Sequence, residues 1–541
     1  MPHYDIPNTF FLSPTTPQEV ISILSRMKPK CSTGLDDISP KLLKHTAPSI
    51  AKPLSHIINL SSQYGSVPTN MKKAKVLPFY KNDNPHLFKN YRPISILPAV
   101  SKILERAIYN RLLKYLNQNK LLSPSQFGFR QNLSTEMAII EFQDRLIQQL
   151  ISGKWGLGVF LDLSKAFDTL NNTILLDKLH HIGIRGIAYN WFKSYLENRY
   201  QSVKLDKYTS SSKLILTGVP QGSILGPLLF LVYINDLPSN LDCNAVLFAD
   251  DTNLLFHDKD LNTLIRNTNQ QLTTISEWFQ VNRLSLNTQK TKFIIFHKPR
   301  QQLPHQNYVI NLANTEIEQV NVIKFLGVYV DSTLTWQDHI KYKCSQILKV
   351  LGAISQFKTN MPNNILRAIN NSLIYPHLSY AITAWGNINS PQLKRMNLLQ
   401  KRAIRTICNA RYNSHTNPLF KEQYLLKLQD IFKSSCLKLN FMTATNTDPT
   451  NYLRNQLPLN SSLHHHNTRQ SSHLHSYNPS STSLSKQLIN HKIPQIWNEL
   501  PDHIKILPSN KHTFSAKIKK YLISMYPNHC SIESCFICNR Q

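Results

Sequence analysis

Apolar positions along the chain switch between two periods, and the switches lay out its elements. Within "PAVSKILERAIYNRLLKYL", Val100, Ile103, Leu104, Ala107, Ile108 and Leu112 recur at helical spacing. Glu105, Arg106, Arg111 and Lys114 fall on other faces, so this helix is expected to have one packed and one wet side. From Gly156 an unbroken run, "GLGVFLD", reads as a buried strand ending in a carboxylate, Asp162. "TILLDKLHHIGI" and "NWFKSYLENR" read as helices, and "QSVKL" with "KLILTGV" as a hairpin. Pro227 suits the first position of a helix through "PLLFLVYINDL". In "VLFADDTNLLF", residues 246–256, two apolar runs flank Asp250 and Asp251, which predicts a tight hairpin with both carboxylates at its tip. Leu261, Leu264, Ile265, Leu272, Ile275 and Phe279 then mark a long amphipathic helix, and "KTKFIIF" and "IKFLGVYVD" read as strands. Such irregular alternation predicts an α+β protein rather than a doubly wound sheet.

Composition narrows the partners. A chain of 541 residues with 41% hydrophobic content can fill several packed units. Its longest apolar stretch, around 224–234, is far short of the roughly 20 residues that span a bilayer, and residues 1–14 lack a secretion pattern. The expectation is an intracellular protein with no membrane partner, nucleus and cytoplasm being equally open. Eight cysteines are scattered as in a reducing compartment, only the last three being clustered. Against 31 Asp+Glu stand 61 Lys+Arg, a formal charge of +30, which makes nucleic acid the natural partner. Glycine is scarce at 14, yet three fall in "GVPQGSILGP", residues 218–227, where a backbone has to approach something closely.

Two adjacent aspartates at a turn admit a plain reading, since Asp is a common turn residue whose charge sits in water. They also admit a chemical one. If the strand closed by Asp162 lies beside the Asp250/Asp251 hairpin, three carboxylates meet, which is costly without a cation. Hard oxygen ligands with room for water and phosphate suit Mg²⁺, and two such ions about 3.5–4 Å apart can stabilise an in-line phosphoryl displacement.

These segments carry a resemblance. "FLDLSKAFDTL", "GVPQGSILGPLLFLVYINDL" and "LFADDTNL" resemble the A, B and C motifs of reverse transcriptases of non-long-terminal-repeat retrotransposons, the LINE-type, jockey-like group. "NYRPISILPAVSKILERAIYNRL", "LSPSQFGFRQNLSTEMAI", "WFQVNRLSLNTQKTKFIIF" and "IKFLGVYVD" resemble further blocks in the same order, over about 32–385 and more weakly to "IWNELPDHIK" at 496–505. The resemblance implies an RNA-directed DNA polymerase with a right-hand fold of fingers, palm and thumb and a helical C-terminal extension. Its partners would be an RNA template, a DNA primer and deoxynucleoside triphosphates, and its cofactor two Mg²⁺, with Mn²⁺ as an alternative. Asp162, Asp250 and Asp251 would be the metal ligands, joined by the main-chain carbonyl of Leu163. Phe167 would be the gate against a ribose 2′-hydroxyl. Gln221 and Gly222 would abut the incoming nucleotide. Arg92, ahead of Lys75 and Lys81, would grip the triphosphate, and Lys290, or else Lys292, would protonate the leaving pyrophosphate. "KFLGVYV" would be the primer-grip hairpin.

On this reading residues 1–60 are an N-terminal helical extension, 61–331 fingers and palm, 332–410 a basic helical thumb and 411–541 a basic C-terminal region. That region holds a Ser/Asn/His-rich linker at 459–485, with His464, His465 and His466, and a tail in which His529, Cys530, Cys535 and Cys538 offer a possible zinc site. A ligand such as His512 could complete it, and free thiols are the other reading of the tail. An upstream apurinic-like endonuclease and a ribonuclease H constellation are not expected in this chain. Two rivals stay open: a folded but idle nucleic-acid-binding remnant, and a viral-type RNA polymerase, which Phe167 and "FADD" in place of Gly-Asp-Asp disfavour.

Overall fold

A computed structural model describes residues 8–527 apart from 82–83, 358–359, 389, 446–450, 464–472, 478–481 and 509. It is an α+β structure built on two main sheets. In the smaller, Lys73–Tyr80 runs antiparallel to Tyr91–Ile96 and parallel to Arg199–Leu205. Arg199–Leu205 also pairs with Lys213–Ile215, the hairpin expected from "QSVKL" and "KLILTGV". In the larger, Trp155–Leu161 is central, antiparallel to Asp251–Asp258 on one side and to Lys292–Phe296 on the other. Asn244–Phe248 completes the acidic hairpin at the edge beyond Asp251–Asp258.

The near-continuous apolar runs of these strands follow from helices covering both faces. Side chains alternate along a strand. Leu157, Val159, Leu254, Phe256, Phe293 and Ile295 therefore enter one core, with the helices Ala99–Gln118, Gly226–Ile234 and Leu261–Val281. Phe160, Leu255, Ile294 and Phe296 enter the other, against Thr135–Ile151 and the hairpin of Val322–Phe325 with Val328–Asp331. "IKFLGVYVD" is thus two strands turning at Leu326 and Gly327, both at positive φ.

The second core continues into the C-terminal helices Leu428–Thr445, Ile489–Asn498 and Lys511–Ser524. Buried polar contacts fix that docking: the Ile489 N–H donates to Asp144 Oδ1 at 3.3 Å, and Gln143 Nε2 donates to Gln487 Oε1 at 3.0 Å. Among the described residues no helix is long and apolar enough to cross a membrane.

The expected wet side of the 99–118 helix needs correction. Arg106 is half-buried and Lys114 exposed, but Glu105 is 0% exposed and Arg111 forms a bidentate pair with Glu19 at 2.9 Å. The first helix, Pro17–Arg26, and the helix Gly186–Leu196 cover what periodicity alone assigned to water.

Candidate active site

Register places the acidic residues. Leu161, last in the central strand, lies opposite Thr252, so Asp162 comes next to Asp251 across the ladder. Phe248 pairs with Asp251, leaving Ala249 and Asp250 as a two-residue turn. Asp250 is therefore at the tip, and Asp251 opens the returning strand.

The turn is held from outside. Ala249 has φ 57°, a left-handed conformation that costs a non-glycine residue roughly 1–2 kcal/mol. Gln126 Oε1 accepts the Ala249 N–H at 3.0 Å and the Gly128 N–H at 2.8 Å. The Phe127 N–H donates to Leu247 O at 2.8 Å, and the Leu247 N–H to Ser125 O at 2.9 Å. A Cβ on Gly128 would stand 2.1 Å from Ala249 N, so only glycine fits this approach. This strut, "SQFGF", received no role from the sequence; a glycine in so glycine-poor a chain was the available signal.

Asp162 is half-buried and clamped from the other side. Its carbonyl accepts the Asn287 N–H at 2.8 Å, its N–H donates to Thr291 Oγ1 at 3.3 Å, and the Ser164 N–H donates to Ser285 O at 2.9 Å. Leu163 sits between these anchors, bridged to Leu286. Lys290 lies on the same loop, its N–H donating to Asn287 O at 3.2 Å and its side chain exposed. Lys292 is committed elsewhere, to Glu318 at 2.7 Å, which separates the two candidates.

Asp250 and Asp251 reach solvent with no salt-bridge partner among the described residues. The protein around Asp251, then the charges of Asp250 and Asp162, push its carboxyl up to about 6. Asp250 is also raised, by desolvation and by Asp162, while Arg92 and Lys81 pull it back. The three carboxylates thus act on one another, and two cations from the smaller sheet and its following loop face them. Lys75 is not with them: it is 9% exposed, in register with Ile96 and Ser202 inside that sheet.

Phe167 is half-buried, its ring centroid 4.7 Å from that of Phe230 and 6.0 Å from that of Phe129. Gln221 is occupied: its Nε2 donates to both oxygens of Asp168, at 2.8 and 3.0 Å. Gly222 has φ 127°, and a Cβ there would lie 2.4 Å from Ser95 O, while the Ser95 N–H donates to Gln221 O at 2.8 Å. The close approach its glycine permits is therefore to the Tyr91–Ile96 strand. Glu105 braces the same turn from beneath, accepting the Ile224 N–H at 2.5 Å and the Tyr195 hydroxyl at 3.2 Å, with the Arg199 charge beside it.

Among the described residues no group of three His, Cys, Asp or Glu side chains is disposed to hold a metal ion as it stands. The five described cysteines are free thiols. His529, Cys530, Cys535, Cys538 and His464 to His466 lie outside the described residues; His512 is exposed on the Lys511–Ser524 helix.

Residues 79–330 match the family described as Reverse transcriptase (RNA-dependent DNA polymerase). This stretch is similar to reverse transcriptase domains. It contains the acidic hairpin, the central strand, the 285–291 loop and the Gln126 strut. The chain is 29% identical over 437 residues to the probable RNA-directed DNA polymerase from transposon BS of Drosophila melanogaster, covering 77% of this chain and 47% of that protein. To the RNA-directed DNA polymerase from mobile element jockey of the same species it is 26% identical over 459 residues, 82% of this chain and 49% of the relative. To the probable RNA-directed DNA polymerase from transposon X-element it is 25% identical over 446 residues, 78% and 46% of the two. The chain spans about half the length of these curated relatives, and the similarity runs well past the reverse transcriptase domain.

Proposed function

We propose that the chain is an RNA-directed DNA polymerase of the non-long-terminal-repeat retrotransposon type, with the smaller sheet as fingers, the larger sheet as palm and the helices of 332–410 as thumb. A primer 3′-hydroxyl attacks the α-phosphate of a deoxynucleoside triphosphate, and pyrophosphate leaves. The observation that carries this reading is the hairpin: two carboxylates without salt-bridge partners among the described residues, raised by burial and mutual repulsion, held beside Asp162 and faced by Arg92 and Lys81.

An open set of carboxylate oxygens fits Mg²⁺, an ion that keeps waters and is completed by substrate phosphates. Asp162, Asp250, Asp251 and the Leu163 carbonyl would hold two such ions, with Mn²⁺ as an alternative. When bound, they would offset the carboxylate repulsion and stabilise the attacking and leaving oxygens. Arg92, with Lys81, binds the triphosphate, its guanidinium fork matching phosphate oxygens. Lys290 gives a proton to the departing pyrophosphate. Phe167, steadied between Phe129 and Phe230, crowds the sugar 2′ position. Gln221 fixes the turn through Asp168, so that the turn meets the nucleotide with its backbone.

The test is primer extension on an RNA template with purified full chain and Mg²⁺, running Asp250→Asn beside it and offering deoxy- and ribonucleotides in competition. DNA product from the parent and none from the variant is expected. Preferential ribonucleotide incorporation would point to the RNA polymerase rival, and no product from either, with primer–template still bound, to the idle remnant.

A further inference from the structure

The helices Asn363–Ile369, Leu428–Thr445 and Lys511–Ser524 enclose a half-open cavity of about 400 Å³. It shares no lining residue with the acidic hairpin, the gate or the glycine-rich turn. Arg367, Lys438 and Lys519 converge on it, all half-buried, and among the described residues none of the three has a carboxylate ion-pair partner. Lys519 instead lies over the Tyr424 ring at 4.6 Å. On the cavity wall Ser434 is 1% exposed, and among the described residues its hydroxyl has no hydrogen-bond partner. A buried hydroxyl left unpaired is costly, and like charges gathered in a half-dry site repel.

The cations record that strain. Burial, then the charge of Lys511, lowers Lys438, and burial, then Arg367, lowers Lys519. Glu136 acts on Lys438 in the opposite sense, but its carboxylate is engaged by the Thr383 hydroxyl. Three cations and an unpaired donor describe the complement of a phosphate. Tyr375 and Leu425 on the same wall give an apolar surface that a bare phosphate would not use and a sugar or base would.

We propose that this cavity binds a phosphodiester of single-stranded nucleic acid outside the catalytic cleft, the phosphate on Arg367, Lys438 and Lys519 and the adjoining nucleoside on Tyr375 and Leu425. The choice of a nucleic-acid strand as the phosphate source rests on the polymerase reading. It is supported by the surplus of Lys and Arg over Asp and Glu in residues 332–541, including Lys394, Arg395, Lys401, Arg402 and Arg405 on the Pro391–Ile407 helix.

The experiment is fluorescence anisotropy of a labelled single-stranded RNA with the full chain across a salt series, comparing the parent with a K438Q/K519Q variant. Loss of the one phosphate contact removes about 0.7 from the slope of log affinity against log salt and weakens binding several-fold at physiological salt. Thermal midpoints report folding, which the removal of two repelling cations does not harm. Ala516→Glu is the second variant, since Ala516 is exposed at the mouth and tolerates the change while placing a negative charge there. Loss of affinity and slope in both variants, with extension on a short saturating primer–template unchanged, supports the site. Unchanged RNA affinity and slope in both overturns it. Inorganic phosphate binding that the double variant abolishes while RNA affinity stays constant would assign the cavity to a free anion and overturn the nucleic-acid source. Because anisotropy needs no turnover, a parent that fails to extend primers counts against the polymerase reading alone.

Discussion

Two carboxylate centres are built in opposite ways: Glu105 beneath the glycine-rich turn at 218–227, and the Asp250/Asp251 hairpin. Glu105 is fully buried, which raises its pKa, but it accepts the Ile224 N–H and the Tyr195 hydroxyl and has the Arg199 charge beside it. Asp250 and Asp251 are open to solvent, have no ion-pair partner among the described residues and repel one another. A carboxylate whose partners are supplied by the fold stabilises the fold. The Asp250/Asp251 pair has no such partner among the described residues, and on the proposed function a divalent cation and a phosphate would complete it.

Separating stability from activity breaks or sharpens this contrast. Asp250→Asn is expected to lower primer extension roughly 10³-fold or more, several kcal/mol of transition-state stabilisation at about 1.4 kcal/mol per decade, with thermal stability unchanged or slightly raised. Glu105→Ala is expected to do the reverse, costing about 1–3 kcal/mol of stability by leaving the buried Ile224 N–H and Tyr195 hydroxyl without their acceptor, as read by chemical denaturation. The remaining folded fraction should still extend primers. A stable but inactive Glu105→Ala protein would mean that Glu105 belongs to the chemistry and that the contrast is wrong.

A smaller effect is expected from the strut. In Gly128→Ala, a Cβ at 2.1 Å from Ala249 N forces the acidic turn to move. The overpacking should cost about 1–3 kcal/mol, and a displacement of about 1 Å at the carboxylates about 10²-fold in extension. Full activity in that variant would show that the hairpin holds its geometry without Gln126 and Gly128.

The pattern of the chain announced the strands, the helices and the acidic hairpin because each is a local property. Periodicity placed the Trp155–Leu161 strand, the Leu261–Val281 helix and the turn at Asp250. It failed where a second layer decides. Glu105 looked wet because a helical period reports which face carries apolar residues, and cannot report that Tyr195 and Arg199 arrive from 90 and more residues later to satisfy a charge. For the same reason Asp168, which occupies Gln221, and Asp144, which receives the Ile489 N–H, passed unnoticed. The resemblance groups Lys75 with Arg92, but the parallel pairing with Arg199–Leu205 leaves it 9% exposed, which periodicity does not show. The motifs found the carboxylates; they did not reveal the strut and clamp that hold them.

The smallest effect tests the sign of the strain itself. Asp251 has its carboxyl at about 6 in the folded chain against an ordinary 3.8, so between those values the folded state holds a proton that the unfolded state gives up. Stability therefore falls as pH rises through that window and stays lower above it. Asp251→Asn removes this penalty, so its thermal midpoint should exceed the parent's at pH 8 and approach it as the pH falls toward 4. Solvent screening of an exposed carboxylate keeps the difference within about 1 kcal/mol. On the proposed assignment of Asp251 as a metal ligand, extension by the parent is expected to run the other way, falling as pH drops through about 6, because a ligand carboxylate has to be ionised. Raising Mg²⁺ should move that fall to lower pH, since metal and proton compete for the same oxygens. A variant less stable than the parent at pH 8 would mean that Asp251 already has its partner within the fold, and the two centres would then be alike.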